Sequence, residues 1–98
     1  MKAIWQGNVI ANSDETILIE GSHYFPPESI DKKYLKKSKL RSLCYWKGMA
    51  SYYHAEKDEA VEKNAAWYYP KATWISRKIT GKDFSNYVAF WRGVKVGE

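Results

Sequence analysis

A single cysteine, Cys44, stands in the sequence. That excludes an intramolecular disulfide and any structural zinc site built from cysteine pairs. So sparing a use of cysteine fits a reducing compartment, and a cytoplasmic location is the expectation. No stretch approaches the roughly 20 apolar residues that cross a bilayer as a helix, so no membrane partner is expected. Met1 to Gly7 carries no apolar core of the kind a secretory signal needs. The six glycines fall at positions 7, 21, 48, 81, 93 and 97, too dispersed for a phosphate-cradling loop or a dinucleotide fingerprint. The two histidines, His23 and His54, have no metal-ligand spacing to each other or to Cys44. Neither a metal nor any other cofactor is implied.

Aromatic rings are what the chain has in abundance. Its 98 residues include 5 Trp, 8 Tyr and 3 Phe, enough apolar surface to offset the entropy of ordering and exclude a disordered chain. The length fits one domain over residues 1–98, with one core. The formal net charge is +5. The segment from Asp31 to Arg41 sets Lys32, Lys33, Lys36, Lys37, Lys39 and Arg41 against the lone acid Asp31, which accounts for the whole surplus. Such a stripe binds phosphate backbones electrostatically, without sequence preference; its plainer reading is a solvated face. Glu56, Asp58, Glu59 and Glu62 read as an exposed acidic turn.

Short β-prone runs dominate the order of elements. Ala3 to Trp5 and Val9 to Ala11 flank a Gln6-Gly7-Asn8 turn, and Thr16 to Ile19 follows Asn12-Ser13-Asp14, so the first 20 residues read as a three-stranded meander. Pro26-Pro27 forces extended backbone and opens a short helix through Glu28, Ser29 and Ile30. Further strands are expected from Leu40 to Cys44, Met49 to His54, Ala65 to Tyr69, Tyr87 to Trp91 and Val94 to Val96. Apolar residues at 72, 75 and 79 predict a short helix that Gly81 ends.

Three groups of side chains are candidates for chemistry or binding. Cys44 lies three residues before Lys47, whose ammonium would activate a nearby thiol as nucleophile; the plainer reading is a buried, inert cysteine. Glu20 and Glu28 flank the segment from Gly21 to Pro27, and a pair of carboxylates facing one pocket would serve as acid and base. Against this, Glu28 at a helix start has a structural role in complementing the helix dipole. The third group is the aromatic surplus. Trp46, Tyr52, Trp67, Tyr69 and Trp91 fall in or beside short strands with alternating faces. Rings lining a concave site beside Lys47, Glu20 and Arg92 would suit a base, a sugar or another flat ligand, and an aromatic-rich core is the alternative.

Four ordered phrases carry a resemblance: His23 to Ser29 (HYFPPES), Cys44 to Gly48 (CYWKG), Ala65 to Pro70 (AAWYYP) and Val88 to Val94 (VAFWRGV). Together they resemble the family catalogued as domain of unknown function 427, which sometimes bears a nucleotidyltransferase label. Tyr45 stands where the family's second motif usually has proline. The resemblance covers essentially the whole chain. It implies a mainly β fold: one small β-tent (Mss4-like) domain of short antiparallel strands with one or two short helices. Relatives of that architecture bind zinc through cysteine pairs, which this chain lacks. The family brings no established reaction, and nothing in these residues supports nucleotidyl transfer.

The reading that follows is a small-molecule binder. Its aromatic pocket is walled by Tyr24, Trp46, Trp67, Tyr69 and Trp91, with Lys47 and Arg92 supplying positive charge and Glu20 or Glu28 an acceptor. The ligand is nucleotide-like or anionic; for any chemistry, Cys44 is the candidate nucleophile and Glu28 the base. The competing classes are a nucleic-acid module using the Lys32–Arg41 stripe and a protein-partner domain using exposed aromatics. The sequence leaves the oligomeric state open.

Overall fold

The structure, a computed structural model, describes residues 1–98. Nine strands and one helix are arranged in three antiparallel sheets. The first sheet has the order β2-β1-β9, with β1 at Lys2–Trp5, β2 at Asn8–Asn12 and β9 at Lys95–Gly97. The second is the two-stranded hairpin of β3 (Ile17–Ile19) and β4 (Ser22–Tyr24). The third runs β5-β6-β7-β8, from β5 (Leu35–Cys44) through β6 (Gly48–Lys57) and β7 (Ala60–Tyr68) to β8 (Val88–Phe90). The helix α1 covers Trp74–Thr80.

The expected three-stranded meander does not form. Residues Ile17 to Ile19 do make a strand, but Glu20 and Gly21 turn it back on Ser22–Tyr24, and β9 takes the free side of β1. Both turn residues have positive φ, 51° at Glu20 and 82° at Gly21, which is the two-residue hairpin geometry. That local closure leaves β3 no reason to seek a distant partner. The Lys-rich segment is also more regular than its composition suggests, since β5 begins at Leu35 and not at Leu40. The Pro27 start yields a single 3-10 turn over Pro27–Ser29, where the Ser29 hydroxyl donates to the Pro26 carbonyl at 2.7 Å. In the acidic segment only Asp58 and Glu59 turn the chain; Glu56 and Glu62 lie in strands.

Alternation along the third sheet divides the interior into two clusters. Ala50, Tyr69 and Ala89 face one side, packing with Ile17, Ile19, Tyr24 and Phe84. Leu35, Ala55, Ala66, Tyr68, Val88 and Phe90 belong to the other cluster, with Trp5, Ile10 and Phe25. Tyr24 and Phe25 are consecutive and buried in opposite clusters, as strand alternation requires. The Phe25 and Val88 backbones exchange hydrogen bonds of 2.8 and 2.9 Å, which fastens the end of β4 to β8. This pair of bonds is the backbone link between the small hairpin and the large sheet.

Helix α1 is capped at both ends. Thr73 accepts from the Ser76 backbone N–H at 3.1 Å, and Gly81, with φ of 75°, returns its N–H to the Arg77 carbonyl at 2.9 Å. The Thr73 hydroxyl also donates to the Trp46 carbonyl, tying the helix start to the loop between β5 and β6. No helix in the structure is long and apolar enough to cross a membrane.

Candidate ligand site

The loop between β5 and β6 carries the central side chain. Gly48 follows at φ 108°, a conformation that side chains rarely adopt, and a Cβ there would stand 3.1 Å from the Lys71 carbonyl oxygen. The glycine therefore lets the loop turn tightly, and Lys47 is directed inward. Only 9% of the Lys47 side chain is exposed. Its ammonium forms an ion pair with Glu20 and lies 5.3 Å from the Trp46 ring centroid and 5.4 Å from that of Tyr69. Cation–π attraction and the carboxylate together replace lost hydration. Glu20 itself is 56% exposed, on the hairpin turn between β3 and β4.

The phenols of Tyr24 and Tyr69 lie beside that ammonium. Tyr24 is 1% exposed, and its hydroxyl accepts from the Trp67 indole N–H at 3.0 Å. Burial raises the Tyr24 pKa above its ordinary value, outweighing the lowering by the Trp67 hydrogen bond and Lys47. Burial pushes Tyr69 up to about 12, helped by Tyr24 and Cys44 and opposed by Lys47. For Lys47 burial favours the neutral form, but the bond to Glu20 and the nearby phenols prevail and the pKa is raised. At neutral pH the site therefore holds an ammonium, a carboxylate and two un-ionised phenols.

Phe84 is the shared support of the cluster. It is fully buried, edge-on to Tyr24 at 5.8 Å and to Tyr69 at 5.9 Å between ring centroids. From Tyr24 the rings continue to Trp67 at 6.1 Å and from Trp67 to Trp91 at 5.1 Å. The Arg92 guanidinium stacks over Trp91 at 4.7 Å. Trp91 and Trp67 are the partly exposed end of this row, whereas Tyr24 and Tyr69 are its buried floor. On the same sheet face the Ser42 and Tyr52 hydroxyls are 2.8 Å apart.

The structure thus gathers Glu20, Tyr24, Trp46, Lys47, Trp67 and Tyr69 into one cluster, and Trp91 with Arg92 extends it. Cys44 is half-buried against the same cluster. Glu28 is elsewhere. It is exposed on the Pro27–Ser29 turn, and no hydrogen bond or ion pair links it to Cys44 or Lys47. Both histidines have structural partners: His23 Nδ1 lies 3.0 Å from the Thr16 hydroxyl, and His54 Nδ1 accepts from the Asn64 backbone N–H at 3.0 Å. No group of three His, Cys, Asp or Glu side chains that would hold a metal ion forms. Phe84 escaped the sequence reading because a lone phenylalanine between Asp83 and Ser85 has no periodic context.

The family model described as Domain of unknown function (DUF427) matches residues 1–97. The chain belongs to this family. Among curated proteins none matches it. The family description names no reaction, so the geometry has to carry the functional argument. Motif positions quoted above for this family supply six members of the cluster, Tyr24, Cys44, Trp46, Lys47, Trp67 and Tyr69, drawn from three separate segments of the chain.

Proposed function

We propose that this family member binds a small nucleotide-like or anionic ligand at the aromatic face around Lys47. The observation that carries the reading is the Lys47–Glu20 pair. A lysine buried to this extent costs several kcal/mol of hydration, and burying a charge pair is seldom the cheapest way to stabilise a fold. Here the partner carboxylate is itself mostly exposed, on a hairpin turn that holds a non-glycine residue at φ 51°. The Glu20 carboxylate occupies the place an incoming anion would take, and the turn gives it room to swing away into water. A flat ring would then lie on the partly exposed Trp67, beside Trp91 and the Arg92 guanidinium stacked over it.

For chemistry, Cys44 remains the candidate nucleophile, because it borders the cluster; Glu28 has no contact there through which to act as base. We also read the three-sheet arrangement as β-tent, Mss4-like architecture, on the strength of the family resemblance. Cytoplasmic residence is supported by the free thiol of Cys44. The competing partner-domain reading rests on an apolar ridge in which Leu43, Tyr45, Met49, Trp74 and Ile79 are exposed.

The test is a ¹⁵N–¹H NMR titration with adenosine monophosphate and, separately, a short RNA, each at low and high salt. The 5 indole N–H signals report on the tryptophans one by one. Salt-tolerant shifts at Trp46, Trp67 and Trp91, weakened about tenfold or more by Lys47→Met, are expected. Shifts confined to residues 31–41 that vanish at high salt would transfer the function to the basic stripe. Silence at both regions would overturn both readings in favour of a protein partner. A Cys44→Ala protein with undiminished affinity and undiminished turnover would remove the nucleophile.

A further inference from the structure

The opposite face of the large sheet contains a cavity of about 380 Å³, within the usual size range of small-molecule sites. Its apolar lining includes Ile30, Leu35 and Val88. Across it Tyr53 and Tyr68 are stacked, with ring centroids 4.7 Å apart and planes 23° from parallel. Lys32 and Lys37 supply the charge, and no acidic residue lines the cavity.

The placement of Lys37 is unusual for a strand. Alternation puts Leu35 and Lys37 on the inner side of β5 and Lys36 on the outer, and Lys37 pairs directly with Tyr53 across the ladder. The lysines of this segment then divide by partner. Lys33 meets Asp31 at 3.6 Å and Lys36 meets Glu56 at 3.4 Å. Lys32, Lys37 and Lys39 form no ion pair, and of these three Lys32 and Lys37 line the cavity. Burial and the neighbouring Tyr68 raise the pKa of Tyr53, which keeps that hydroxyl protonated and able to donate. Two uncompensated cations, phenol donors and an apolar lining are together complementary to one kind of molecule.

We infer that this cavity is a second binding site, independent of the Lys47 cluster, for a small amphipathic organic anion. A carboxylate meets Lys32 and Lys37 while an aryl or short acyl body lies against the Tyr53–Tyr68 pair. A bare inorganic anion would leave the apolar lining uncovered, and a neutral apolar molecule would leave both ammonium groups without a partner.

The test uses 3-phenylpropionate as probe, followed through the backbone amides of Tyr53, Tyr68, Asn86 and Val88. Comparison titrations use 3-phenylpropanol and inorganic phosphate, each to about 10 mM so that millimolar affinity is detected. Saturable shifts with 3-phenylpropionate are expected, with at least about tenfold weaker binding of both comparison molecules. The double variant Lys32→Gln/Lys37→Gln should weaken the probe by a similar factor. The control Lys36→Gln/Lys39→Gln, with the same loss of charge in the same segment, should leave it unchanged. Absence of saturable shifts, equal binding of the alcohol or of phosphate, or equal sensitivity to the control pair would each overturn the inference. Failure of the Lys47 reading shows instead at the indole signals of Trp46 and Trp67, so the two outcomes are separable.

Discussion

On one face of the large sheet Lys47 is enclosed by rings, paired to Glu20 and nearly out of reach of water. On the other, Lys32 and Lys37 border an open cavity with no acidic residue in its lining and form no ion pair. The same residue type is a buried member of a packed cluster in one place and an unpartnered charge in the other. Charge that enters an interior has to bring its partner along, whereas Lys32 and Lys37 stay exposed to water at the rim of the cavity. The two proposals therefore differ in kind: an exchange of anions at Lys47 and a simple capture at Lys32 and Lys37.

The largest way to break this comparison is to remove the support of one face alone. Phe84→Ala empties the position beneath both Tyr24 and Tyr69, and a fully buried phenylalanine lost from a core costs about 3–5 kcal/mol. Urea unfolding should register that loss. At low urea, where the variant stays folded, 3-phenylpropionate should still shift the amides of Tyr53 and Tyr68. Loss of both responses together would show that the two faces are one mechanical unit and not two sites.

Alkaline pH sharpens the contrast through the phenols and the ammonium of the Lys47 face. Tyr69 titrates near 12 in the folded chain against about 10 when unfolded, and Lys47 is raised as well. Between pH 10 and 12 the unfolded state therefore binds fewer protons than the native state, and stability falls as pH rises. The stabilisation is fully present below pH 10. Its loss on the way to pH 12 is on the order of 1–3 kcal/mol for Tyr69. Thermal unfolding at pH 9, 10, 11 and about 12 should show the drop, and Tyr69→Phe should flatten it. An unchanged slope in the variant would mean that other groups, among them Tyr24 and Tyr53, carry the effect.

The Lys47 face was legible in the sequence because its members stand in compact phrases. CYWKG supplies Cys44, Trp46 and Lys47, and AAWYYP supplies Trp67 and Tyr69. Strand alternation then sends Trp67 and Tyr69 to one side of the sheet, as the reading required. The cavity was not legible, for two physical reasons. A strand of Lys-rich composition contradicts ordinary β-propensity, so β5 was expected to begin at Leu40 when it begins at Leu35. Without those first residues, Lys37 has no register and cannot be seen to face inward. The second reason is contact order: Pro27 and Ile30 reach the cavity through contacts far apart in the chain, the Phe25–Val88 bonds on one side and the Ala11–Ile30 bridge on the other. The meander failed for a related cause, the ambiguity between neighbouring strands that Glu20 and Gly21 resolve locally.

The smallest predicted effect is the most discriminating for β5. Lys36 and Lys37 are consecutive, both exposed and on opposite faces of the strand. Lys36 joins Glu56 across the ladder with side chains 73% and 31% exposed, a geometry that solvent screens strongly. Lys36→Ala should therefore cost only about 0.2–0.5 kcal/mol in urea unfolding and leave 3-phenylpropionate binding intact. Lys37→Ala should be as mild in stability, since the residue has no ion pair to lose, yet weaken the probe. A Lys36→Ala loss well above 1 kcal/mol would make the stripe a structural brace. Equal weakening of the probe by both variants would reduce the cavity's selectivity to net charge. The expected outcome, two neighbours alike in stability and unlike in binding, follows from alternation alone: one lysine stands on the outer side of an edge strand in water, and the other lines the cavity.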